Sequence, residues 1–118
     1  MTPEELRDKL RPLQEKQGYR FNTDETYTLP LLESLLTNKE RYGYMACPCR
    51  LATGKYDLDR DIICPCVYRA PDVEEYGACF CALYVSEGYN DGSIERVTVP
   101  ERRSPDKLME ALTASLGC

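Results

Sequence analysis

Six of the seven cysteines lie within residues 47–81, as three Cys-x-Cys pairs: Cys47-Pro48-Cys49, Cys64-Pro65-Cys66 and Cys79-Phe80-Cys81. In an extended Cys-x-Cys segment the two side chains project to the same side, so each pair can present two sulfurs to one place. Closing such a pair on itself makes a small, strained ring, and a disulfide between different pairs is easier to form. Histidine is absent, which excludes Cys₂His₂ and Cys₃His zinc sites, Cys–His nucleophilic dyads and any histidine general base.

Three accounts of six clustered thiols compete. Four thiolates could close a structural Cys₄ zinc site, although zinc modules favour C-x₂₋₄-C spacing over three C-x-C pairs. Four could hold a [4Fe–4S] cluster for electron transfer alone, which leaves two thiols idle. The same cluster could instead sit beside a redox-active dithiol. Only this third account uses all six sulfurs.

The compartment bears on the choice. Met1-Thr2-Pro3-Glu4-Glu5 lacks the basic start and apolar stretch of a secretory signal. A reducing, cytoplasmic setting is therefore expected, where metal-binding or catalytic cysteines outnumber disulfide staples. No run approaches the ~20 apolar residues of a membrane span, and a net charge of −5 argues against a general nucleic-acid role. Residues 38–69 depart from that balance, with six bases (Lys39, Arg41, Arg50, Lys55, Arg60, Arg69) against four acids. Such a patch around the cysteines could steer an acidic partner.

At 118 residues, 42% of them hydrophobic and 30% charged, the chain is expected to form one globular domain over 1–118. Thr2-Pro3-Glu4-Glu5 predicts a helix start with Thr2 as N-cap and Glu5 completing a capping box. Leu6, Leu10 and Leu13 give that helix an apolar stripe; Pro12 should kink or split it, and Gly18 should stop it. A second helix is expected within 24–40, with Leu32, Leu35 and Leu36 inward and its start made ambiguous by Pro30. The 47–81 stretch reads as irregular, and a loop that long needs something to organise it. Ala78–Val85 should be buried, Glu87–Gly92 should turn, and Ile94–Val99 should form a short strand in at most one small hairpin. Ser104-Pro105 caps a last helix along Leu108, Leu112 and Leu116, ended by Gly117.

Residues 38–50 (Asn-Lys-Glu-Arg-Tyr-Gly-Tyr-Met-Ala-Cys-Pro-Cys-Arg), followed by Cys64-Pro65-Cys66-Val67 and Cys79-Phe80-Cys81, resemble the catalytic (beta) chain of ferredoxin:thioredoxin reductase. The likeness spans about residues 20–86. It implies a small, mainly α fold (α+β at most) of helices and irregular loops wrapped around one [4Fe–4S] cluster. The cluster ligands would be Cys47, Cys64, Cys66 and Cys79, and Cys49 and Cys81 would form the active disulfide. Ferredoxin would deliver electrons singly, and thioredoxin or a similar protein disulfide would receive them. An accessory subunit accompanies the plant enzyme. The chain departs in carrying Cys-Phe-Cys where the best-known members have Cys-His-Cys, and in the gaps between pairs, which place it among divergent, prokaryotic-type members. Phe80 thus removes a histidine thought to assist at the cluster. Arg50 would favour a Cys49 thiolate, and Tyr42, Tyr44 and Tyr68 could supply hydrogen bonds or packing. Cys118 has no counterpart in the signature and reads as a spare exposed thiol.

Overall fold

The architecture comes from a computed structural model that describes residues 1–115. Helix α1 (Pro3–Lys16) opens with the expected capping box, the Thr2 side chain accepting from the Glu5 amide and Glu5 reaching back to the Thr2 amide. Pro12 lies inside α1 at an exposed position without splitting it. Leu6 is buried and Leu10 packs on the core, but Leu13 is exposed and Gln14 takes the buried place instead.

Helix α2 (Glu25–Tyr42) is capped by Asp24 and ends on Gly43. It runs longer than expected and carries Pro30 in its second turn, where Ser34 donates to the Pro30 carbonyl at 3.0 Å. Leu32 and Leu35 are fully buried. Between α1 and α2, strand β1 (Arg20–Phe21) pairs antiparallel with β2 (Tyr84–Val85), Phe21 opposite Tyr84 and Arg20 opposite Val85. The two rings stack at 5.2 Å. This pair of strands, not the predicted 94–99 segment, is the one small sheet, and 94–99 has no regular structure.

The cysteine region is more helical than expected. It contains α3 (Tyr56–Asp59), a 3₁₀ turn (Arg60–Ile62) and α4 (Arg69–Tyr76). Pro71 sits in the first turn of α4, where a missing amide costs little. Gly77 ends α4 in the left-handed conformation at φ +80°, and a Cβ there would collide with the Ile94 side chain. Only glycine meets both demands. Glu87–Asp91 forms a short helix, α5, rather than a turn. Helix α6 (Pro105–Ser115) begins at Ser104, whose hydroxyl accepts from the Lys107 amide. Ala111 is its buried residue, while Leu108 and Leu112 stay exposed. The expectations for Leu116, Gly117 and Cys118 lie outside the described residues. One core joins α1, α2 and β1 to the cysteines, with Cys47, Cys79 and Cys81 packed among Leu32, Leu35, Ile62, Leu83 and Tyr84. Among the described residues no helix is long and apolar enough to cross a membrane.

Candidate redox centre

Two short backbone bridges bring the three pairs together. Ala46 bridges Ile63, so the Cys47 amide donates to the Ile62 carbonyl and the Cys64 amide to the Met45 carbonyl, each at 2.8 Å. That register places the first pair beside the second. Ala78 bridges Val85, and the Cys79 amide donates to the Tyr84 carbonyl at 2.9 Å, which anchors the third pair to β2. After Cys81 the chain reverses at Ala82, a non-glycine residue at φ +56°. Such a conformation costs roughly 1–2 kcal/mol. The Ala82 amide bonds to the Cys79 carbonyl, and the buried Asn22 side chain donates to the Ala82 carbonyl at 3.1 Å. Strand β1 therefore holds the turn that aims Cys81.

Cys47, Cys64, Cys66, Cys79 and Cys81 line one small cavity with Arg50, Arg69, Phe80 and Tyr84. No carboxylate or hydroxyl other than that of Tyr84 is among its lining residues, so sulfur is its dominant donor. Cys79 Sγ accepts from the Tyr84 amide at 3.4 Å, and Arg50 Nη1 lies 3.5 Å from Cys66 Sγ and 3.9 Å from Cys47 Sγ. Hydrogen bonds to sulfur of this kind are among the features that tune iron–sulfur centres. Among the described residues no three cysteines or carboxylates converge as a single-ion site. Burial pushes the Cys64, Cys66 and Cys79 thiols up, so each holds its proton until a ligand displaces it.

Beside the cavity three sulfurs meet. Cys47 Sγ and Cys81 Sγ are 3.0 Å apart, and Cys49 interacts with both. The Cys47 and Cys81 thiols donate to Cys49 and bring it down to about 4, despite partial burial. The same contacts push Cys81 far up, with Cys47 first and Cys49 second among the causes, and Cys49 raises Cys47 as well. The contacts lower Cys49 and raise its two neighbours. Cys49 is also the exposed member, whereas Cys47 and Cys81 are buried.

Arg50 does not serve the surface role its position suggested. Its side chain is 1% exposed and forms an ion pair with Glu101 at 2.9 Å. Its guanidinium lies 4.5 Å from the Phe80 ring centre and 4.9 Å from that of Tyr68. Arg69 is buried as well. Exposed charge around the cysteines comes instead from Lys39, Arg41, Lys55 and Arg60 against Glu40 and Asp57, so an excess of bases survives with different members. The hydroxyls of Tyr44 and Tyr68 donate to the buried Asp59 (2.5 Å) and Asp61 (2.6 Å) rather than to sulfur.

Sequence reasoning passed over residues 101–103. Glu101 pairs with Arg50, Arg102 with Asp72 and Glu75, and Arg103 with Asp61 through two nitrogens at 2.9 and 3.1 Å. The ion pairs of these three consecutive residues strap the C-terminal segment over the cysteine region. Nothing in a short charged run distinguishes a strap from a solvated loop, so no sequence signal marked it.

The family model for the ferredoxin thioredoxin reductase catalytic beta chain matches residues 2–103. The chain belongs to this family. The match takes in all three Cys-x-Cys pairs and the strap, and makes the protein a relative of an oxidoreductase subunit that acts between ferredoxin and thioredoxin. No curated protein matches the chain.

Proposed function

We propose that this chain is an iron–sulfur disulfide reductase, with a [4Fe–4S] cluster on Cys47, Cys64, Cys66 and Cys79 and a redox-active dithiol of Cys49 and Cys81. The observation that supports it best is the contact of Cys49 with Cys47 and Cys81, which line one cavity together with Cys64, Cys66 and Cys79. A bound cluster would supply electrons one at a time, matching a one-electron donor such as ferredoxin to a two-electron disulfide.

The chain's own thiols carry out the exchange. Two electrons and two protons convert the Cys49–Cys81 disulfide to the dithiol. The Cys49 thiolate attacks the target disulfide, forming a mixed disulfide and expelling one target thiolate. Cys81, deprotonated, then attacks Cys49 Sγ, which releases the second target thiol and restores the Cys49–Cys81 bond. The target leaves with the two electrons. Exposure favours Cys49 for the first attack, and burial suits Cys81 to internal resolution. Thioredoxin or a similar small protein disulfide fits as acceptor.

Iron, sulfide and zinc analysis of protein purified without oxygen tests the cofactor. About four iron and four sulfide per chain are expected, as one cubane on four cysteines requires. Stoichiometric zinc without iron would overturn the reading in favour of a non-catalytic Cys₄ module.

A further inference from the structure

Three buried arginines surround the cysteine region, and two have carboxylate partners. Arg50 pairs with Glu101, and Arg103 with Asp61. Arg69 differs. It is 7% exposed and lines the cysteine cavity, three residues beyond Cys66. Its guanidinium donates to two neutral amide oxygens on the α1 side, that of Gln14 and, at 3.2 Å, that of Gln17 just past the helix end. It also lies 3.8 Å from the Tyr19 ring centre and 4.8 Å from that of Tyr84. Among the described residues it has no ion pair.

A guanidinium is always charged, and burying a charge without a counter-charge is strongly unfavourable. Gln14 and Gln17 satisfy its donors without cancelling its charge. An anion in the cavity would provide the missing compensation. Four thiolates around a [4Fe–4S]²⁺ core carry a net charge of about −2, and one further electron makes it more negative.

We propose, resting on the cluster assignment above, that Arg69 is the fixed counter-charge of the cluster and raises its reduction potential. Arg50, neutralised by Glu101, supplies hydrogen bonds to Cys47 and Cys66, whereas Arg69 supplies net charge. Helix α1, which reads in sequence as a packing helix alone, holds that charge in place through the buried Gln14. A cation beside the cavity favours the more negative, reduced form, so its removal or neutralisation lowers the potential.

Redox titration of the full chain, followed by absorbance and electron paramagnetic resonance, provides the test, with iron content measured on each sample. Arg69→Gln removes the charge. Gln14→Glu keeps the arginine and its packing but places a carboxylate where the amide oxygen stands. Both should retain iron and shift the potential downward. If Arg69→Gln fails to assemble, Gln14→Glu alone decides, since a purely structural arginine would be held at least as well by the new ion pair. A Gln14→Glu protein with full iron content and the parent's potential would overturn the inference while leaving the cluster assignment intact. A parent chain without iron would overturn both.

Discussion

The Phe80 ring centre lies 4.5 Å from the central carbon of the Arg50 guanidinium. Phe80 occupies the middle of the third Cys-x-Cys pair, where the resemblance leads one to expect histidine. An aromatic ring there carries no titrating proton; it shields a cation that already donates toward Cys47 and Cys66. Phe80→Ala should destabilise the protein by about 1–2 kcal/mol through the lost cation–π contact alone, measured by thermal denaturation. An unchanged melting temperature would show that the ring and the cation are merely adjacent.

Glu101 is the second support of the same arginine. Glu101→Gln leaves a guanidinium with 1% of its side chain exposed without its carboxylate partner. Breaking a fully buried pair costs about 3–5 kcal/mol, and the loss should fall below that range because Glu101 keeps 24% of its own side-chain surface exposed. Arg50→Met combined with Glu101→Gln should recover part of the loss, since no lone charge remains. A double-mutant cycle with no coupling would contradict the role of residue 101 as a strap.

The Arg103–Asp61 pair predicts a pH dependence. Burial alone would raise the Asp61 carboxyl, but the Tyr68 hydroxyl and the Arg103 guanidinium more than offset it and hold it below its usual range. A carboxyl lowered on folding contributes stability that is fully present above its unfolded value of about 3.9 and is lost as pH falls through the folded one. Asp61→Asn should therefore melt earlier than the parent at pH 7, and the gap should narrow below about pH 4. A gap that stays constant down to pH 2 would assign the loss to packing.

Local chemistry made some of this legible in the sequence, and long-range contact hid the rest. The α1 start could be read because Thr2, Pro3 and Glu5 act within one turn, and the third Cys pair could be placed in a buried stretch because Ala78–Val85 is apolar throughout. The β1–β2 pairing could not: Phe21 and Tyr84 are separated by most of the chain, and two-residue strands carry no periodicity. Prolines misled in a consistent way, since Pro12 and Pro30 sit at exposed positions inside helices that continue past them. Pro71, within the stretch that reads as irregular, instead lies in the first turn of α4. The six thiols were visible as a group from their spacing, and the division of labour among them came from resemblance. Arg50, by contrast, looked like a surface base until Glu101 and Phe80 were found around it.

In the proposed exchange Cys49 attacks a target disulfide and Cys81 resolves the adduct. Intact-mass spectrometry of Cys49→Ser and Cys81→Ser variants, each reduced and mixed with oxidised thioredoxin, tests it most directly. Both variants should keep their iron. Cys81→Ser should accumulate a one-to-one mixed disulfide on Cys49, because nothing remains to release it, while Cys49→Ser should capture none. An adduct on Cys81 would reverse the two roles, and loss of iron in either variant would contradict the ligand assignment.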